Sequence, residues 1–322
     1  MSVLLERLGV QVPIVQAGMG GGLATHELAA AVSEAGGLGT IGILPPEDLR
    51  TELDAARGLT AQPIAVNLLL PFARRTHFEV ASEADVLVTF WGSPRRRTSN
   101  TWIHQCGSVE EALAAQAAGA DAVIAQGVEA GGHVRGSLPA LELLERVRAA
   151  VAEGLPVLSA GGIVTAADVR ARLGAGADAV VSGTRFLLTD ESGAHPLYKA
   201  RLLESRETVL TELFGMGWPA PHRVVPNEAT SRWAERDPRG PALVRALHHS
   251  TAPLLSRVPI RLQSRLAAAQ VPGRPLFGPA AATAGRPPNL VEAGPLYAGE
   301  SVARIHEVRP AGELVRELAS DL

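Results

Sequence analysis

The segment Gln126-Gly127-Val128-Glu129-Ala130-Gly131-Gly132-His133-Val134-Arg135-Gly136 concentrates more potential chemistry than any other stretch of the chain. A structural histidine normally sits in an apolar run. His133 sits after paired glycines, on what reads as an open loop, where an imidazole titrates near neutrality and can serve as a general base. Two further clusters, Ser159-Ala160-Gly161-Gly162-Ile163 and Val181-Ser182-Gly183-Thr184-Arg185, read as glycine turns. Backbone N–H groups can approach an anion there, a following helix start favours negative charge, and the Thr184 hydroxyl adds a donor. A phosphate is the expected occupant. Gly18-Met19-Gly20-Gly21-Gly22 nearly matches a dinucleotide fingerprint, but the last glycine falls at Leu23. It reads better as backbone passing close to a planar ring.

Other candidates carry less. His104 and Cys106 alternate on one apolar run, but no third ligand accompanies them, so no metal is expected. Cys106, the sole cysteine, rules out an intramolecular disulfide and reads as a small buried residue. His248-His249 and Arg95-Arg96-Arg97 read as surface groups. Tyr297 and Glu300 lie near the point where the chain is expected to return to its first domain.

These residues cluster at the ends of short apolar runs. The runs are Pro13–Ala17, Leu38–Ile43, Pro63–Leu69, Asp85–Phe90, Thr101–Cys106, Asp121–Gln126, Leu155–Ala160 and Asp178–Ser182. Each is followed by a turn, and most by an Ala/Leu/Glu/Arg helix pattern. Near-continuous apolar runs suit parallel strands buried on both faces. Eight strand–helix units predict an α/β fold, a (β/α)8 TIM barrel, with its active site at the strand C-termini. Gly92–Asn100, between the fourth and fifth runs, is too short for a crossover helix. After Phe186 the pattern becomes helical around 194–215 and 240–270. A Pro/Gly-rich stretch from Pro272 to Pro295 and a final amphipathic helix, Pro310–Leu318, follow. The expected domains are a barrel over 1–200 and 298–322, and a smaller, mainly helical insertion with a return segment over 201–297.

Composition narrows the function. The chain has 322 residues, of which 46% are hydrophobic, so it can build a large core. A net charge of −3 gives no electrostatic basis for nucleic-acid binding. No apolar stretch is long enough to span a bilayer, and Glu6-Arg7 arrive too early for a signal peptide, so a cytoplasmic location is expected. Lys199 is the only lysine and therefore the only position for Schiff-base chemistry.

At Pro13–Gly20, Ala65–Leu68, Asp85–Gly92, Gly119–Gly136, Pro156–Ile163 and Val180–Phe186 the sequence resembles the nitronate monooxygenase family. The resemblance covers nearly the whole chain, and Gln126–His133 is its most specific part. It implies an FMN-binding barrel. In that frame Ala17, Gly18, Met19, Asn67 and Gln126 would meet the flavin. Gly131, Gly132, Gly161, Gly162, Ser182, Gly183 and Thr184 would line the cofactor and its phosphate, and His133 would be catalytic. The implied reaction oxidises alkyl nitronates or nitroalkanes with O2, giving a carbonyl compound and nitrite, with no metal. Gln105 stands where some relatives carry a lysine near the flavin's pyrimidine edge. Tyr297-Ala298-Gly299-Glu300-Ser301 replaces a Gly/Gln-rich return segment. The same superfamily includes NAD(P)H-dependent FMN reductases acting on enoyl-acyl carrier proteins or quinones, which leaves a second activity open.

Overall fold

The computed structural model describes residues 3–255, 258, 269–320 and 322. The chain divides into two compact units. One comprises residues 1–129, 135–192 and 308–322, the other residues 130–134 and 193–307.

The strands follow in order as β1 (Ile14–Gln16), β2 (Gly39–Ile41), β3 (Ile64–Leu69), β4 (Val86–Phe90), β5 (Thr101–Cys106), β6 (Ala122–Gln126), β7 (Gly132–His133), β8 (Val157–Ala160) and β9 (Ala179–Ser182). All but β7 form one parallel sheet in the order β1-β9-β8-β6-β5-β4-β3-β2. A bridge between Val15 and Leu38 joins its two ends, so the eight strands make the expected barrel.

Alternation along each strand separates two cores. Val15, Leu38, Ala65, Val86, Val88, Ile103, Ile124, Leu158, Ala160 and Val181 pack together inside the ring. Ile41, Val66, Leu68, Leu87, Val123, Ala125 and Val157 pack outward against the helices. Leu5, on helix α1 (Val3–Arg7), belongs to the inner cluster and helps close it. Three aspartates fix strand starts. Asp85, Asp121 and Asp178 each accept an N–H from the first or second residue of a neighbouring strand, from Ile64, Trp102 and Val157 respectively, all at 2.8 Å. Each also pairs with an arginine, respectively Arg57, Arg96 and Arg148.

The helical ring comprises α2 (His26–Glu34), α3 (Pro46–Leu59), α4 (Arg75–Ala81), α5 (Val109–Ala117), α6 (Ala140–Ala150) and α7 (Ala166–Gly174). The C-terminal helix Ala311–Leu318 buries Ala311, Leu314, Val315 and Leu318 against Leu28 and Val32 of α2 and Val169 of α7. It thereby fills the place of an eighth helix. No helix follows β4, as the short Gly92–Asn100 segment requires. The gap is partly covered by Arg96, whose guanidinium lies 5.7 Å from the Trp102 ring centroid and bonds the Gly119 carbonyl. Asn100 donates to the carbonyls of Ala81 and Ala84 at 2.9 Å each, anchoring the segment's end.

The second unit is less helical than its composition suggests. It contains an antiparallel sheet of β7, β10 (Val209–Thr211), β11 (His222–Val225) and β12 (Leu296–Tyr297). The expected helix over 194–215 is confined to Pro196–Glu204. The four residues after it carry no helix, and β-branched Val209 and Thr211 then pair with β11. Of the expected helix over 240–270, Ala242–Leu255 is helical, and most of the remainder lies outside the described residues. No described helix is long and apolar enough to cross a membrane.

Candidate active site

Strand parity selects the side chains at the barrel's C-terminal end. Ala65 and Ile124 point inward, so Asn67 and Gln126, two residues further along β3 and β6, do too. Leu38 is likewise inward, which places Thr40 on the same side. All three polar side chains are buried. The Thr40 Oγ1 atom has no partner among the described residues, which leaves a donor–acceptor available inside the ring. Gly18 lies against this group. A Cβ there would fall 2.2 Å from Asn67 Cβ and 3.0 Å from Thr40 Cγ2, so only glycine lets the loop after β1 approach so closely.

The turns after β8 and β9 differ. Gly161 and Gly162 have φ of +117° and +75°, which side-chain-bearing residues rarely adopt. Arg172 of α7 donates to the Gly161 carbonyl at 3.2 Å and lies 3.5 Å from Glu129. The Glu129 carboxylate also accepts from the Ala140 N–H at the start of α6. At Gly183 a Cβ would meet only Ala17 Cβ, at 3.6 Å, so the space before it is open. Gly183 precedes the short helix Thr184–Leu187.

Two expected ligand residues are engaged elsewhere. Ser182 Oγ donates to the Ile163 carbonyl at 3.0 Å, and its own carbonyl accepts from the Ala17 N–H at 2.9 Å. Met19 packs with the outer cluster around Leu28 and Phe186. Cys106 is buried, and burial pushes its thiol far above the usual range, so it is no nucleophile. His104 faces outward, with Nδ1 2.8 Å from Thr89 Oγ1. No group of three metal-ligating side chains occurs among the described residues.

His133 is not on an open loop. It lies in β7, directly opposite His222 of β11. Val224, two residues on from His222, pairs with Tyr297 of β12, so all four side chains share one face of the sheet. The His133 ring stacks on Trp218, with centroids 3.9 Å apart and planes 29° from parallel. His222 meets it edge-on at 5.4 Å, and Tyr297 lies 5.5 Å away. A loop histidine would make few packing contacts, but strand pairing places this one in an aromatic box. Gly131 matches the tight packing beside it, because a Cβ there would lie 2.5 Å from the Gly299 nitrogen. Glu300 pairs with Arg223 at 2.9 Å.

Hydrogen bonds fix the His222 tautomer. Its Nδ1 is 2.8 Å from the Ala220 carbonyl, which only accepts, and its Nε2 accepts from the Phe214 N–H at 3.4 Å. The ring is therefore neutral, and burial pushes its pKa down to about 4. Burial, with His222 adding to it, also holds His133 well below the ordinary histidine value, so it rests as a neutral proton acceptor. Trp218 and His222 are site neighbours that carry no chemical signal in the sequence beyond a Pro-bracketed aromatic, Trp218-Pro219-Ala220-Pro221-His222. His248 is buried rather than on the surface, whereas the His249 side chain is mostly exposed.

Buried neutral histidines make the fold acid-labile. His104, like His222, is lowered by burial from about 6.5 to about 4. Below about pH 6.5 the unfolded chain takes up protons that the native state refuses, so native stability declines. The melting temperature is expected to be level above pH 7 and to fall steadily between about pH 6.5 and 4. A melting temperature that rises over that interval would contradict this.

Comparison with known proteins agrees with the barrel. The family model for nitronate monooxygenase matches residues 1–102 and 95–321. A probable nitronate monooxygenase from Staphylococcus saprophyticus is 35% identical over 288 residues, spanning 71% of this chain and 80% of the relative. Another from Staphylococcus haemolyticus is 32% identical over 273 residues, spanning 66% and 75%. Among solved structures, FabK from Thermotoga maritima superposes with a TM-score of 0.77 at 29% identity, covering 99% of this chain and 95% of that one. Nitroalkane oxidase from Streptomyces ansochromogenes gives 0.75 at 32% identity, covering 100% and 98%. The chain belongs to the nitronate monooxygenase family.

Proposed function

We propose that the protein oxidises alkyl nitronates, or the nitroalkanes from which they form, with bound FMN and O2, giving a carbonyl compound and nitrite. The observation that carries this reading is His133, a neutral imidazole held in an aromatic box. A nitroalkane has an acidic C–H next to its nitro group, and a neutral base is what such a bond requires. The C–H electron pair stays on the substrate as the nitronate while the proton moves to an imidazole nitrogen.

The barrel residues suit FMN. Asn67, Gln126 and the unpartnered Thr40 hydroxyl offer polar contacts to a flat heteroaromatic ring, with Gly18 giving backbone access. Gly161, Gly162, Gly183 and Thr184 would hold the phosphate, and the open space before Gly183 fits that role. The flavin would accept the substrate's electrons and pass them to O2. The protein's own work is to bind and orient the anion and to take up the proton.

Denaturing the purified protein and identifying the released chromophore tests the cofactor. FMN is expected. FAD, or no flavin, would contradict the assignment. A pyridine-nucleotide-dependent flavin reductase is the second reading, and the comparable superposition on FabK keeps it in view.

A further inference from the structure

We propose that Trp218 is a positioning residue for proton abstraction: its indole face, stacked on the His133 ring, stabilises the imidazolium formed when His133 deprotonates a neutral nitroalkane. This rests on the reading of His133 as the base.

The geometry comes from one small sheet and the turn leading into it. Trp218 stands before β11, is 9% exposed, and is stacked on the His133 ring at 3.9 Å, its plane inclined by 29°. A cation within about 6 Å of an indole face is attracted by the ring's negative quadrupole, more strongly where water is excluded. The stack adds little to the neutral imidazole and more to the charged one. Its effect therefore grows as the proton arrives, which is the condition for speeding a step.

His222 and Tyr297, which face His133 on the sheet, supply no opposing charge. His222 of β11 is held neutral by its bonds to Ala220 and Phe214. Tyr297 of β12 donates its hydroxyl to the Pro279 carbonyl at 2.8 Å, and burial raises its pKa, so it stays protonated. Neither offers a carboxylate-like partner for an imidazolium, whereas the indole face is in position to do so. In the proton step the C–H bond breaks, its electrons remain on the nitronate, and the N–H bond forms within the stack.

The test uses the holoenzyme with tryptophans of increasing fluorination placed at position 218 alone, alongside Trp218→Phe and Trp218→Leu. Fluorination weakens the π face with little change of shape. Turnover of neutral nitroalkane, as kcat/KM, is expected to fall in graded fashion, by roughly 3- to 30-fold at the Leu extreme. Turnover of pre-formed nitronate should stay near wild type. The midpoint of the kcat/KM pH profile should move to lower pH. NMR titration of the His133 ring should show the same downward movement without reference to turnover. Trp218→Phe should recover part of the loss.

A flat fluorinated series, or equal loss with nitronate, would overturn the assignment. If Trp218→Leu fails to fold, the fluorinated series still decides. Failure of the underlying reading has a different signature, because His133→Gln would then leave neutral-nitroalkane turnover unchanged or lose as much with pre-formed nitronate. A flat series with a His133→Gln variant damaged on neutral nitroalkane but rescued by nitronate sinks only the role given to Trp218.

Discussion

His133→Gln is expected to lower turnover of a neutral nitroalkane by roughly 10²- to 10⁴-fold, the usual effect of losing a positioned general base. Glutamine keeps a polar side chain beside Trp218. Alanine would leave a gap against the stacked indole and the Tyr297 ring, at a cost on the order of 1–3 kcal/mol of stability. The glutamine variant separates chemistry from packing more cleanly. Pre-formed nitronate should largely rescue it, because the proton has already left. Steady-state assays with both substrate forms check this. Equal loss with both would assign His133 to holding the anion, and undiminished turnover with both would remove it from the reaction.

The second large effect is expected at Gly183. A Cβ there meets nothing closer than Ala17 Cβ at 3.6 Å, and φ is −109°, so Gly183→Ala should fold normally. Gly183→Asp adds a carboxylate to the space assigned to the phosphate, where like charges repel. The Asp variant should purify with little or no flavin and regain none when incubated with excess FMN. Its apoprotein should melt close to the wild-type apoprotein. Flavin content equal to wild type would move the phosphate elsewhere.

The barrel was legible because parallel strands buried on both faces leave continuous apolar runs, and all eight runs became its strands. The return of the chain as an eighth helix was readable in the amphipathic spacing of Leu314, Val315 and Leu318. The second unit was not. Its sheet strands run only two to four residues, too short for periodicity to separate them from helix or turn. The setting of His133 was lost with it. Glycine neighbours suggested an open loop, but Gly132, at φ +75°, leads the chain into pairing with β11. That pairing joins His133 to residues far away in sequence, and no local pattern announces such contacts. Thr40 escaped notice for a different reason. As a single β-branched residue in a buried strand it looks like ordinary strand material, and only its unpartnered hydroxyl distinguishes it.

Anaerobic mixing of the yellow holoenzyme with a nitronate, and separately with NADH and NADPH, tests nitronate oxidation most directly. Rapid bleaching of the flavin absorbance by the nitronate is expected, with colour returning and nitrite released when O2 is admitted, while neither nucleotide bleaches it at a comparable rate. Bleaching by NADH or NADPH with the nitronate inert would contradict the assignment and identify the protein as a pyridine-nucleotide-dependent flavin reductase.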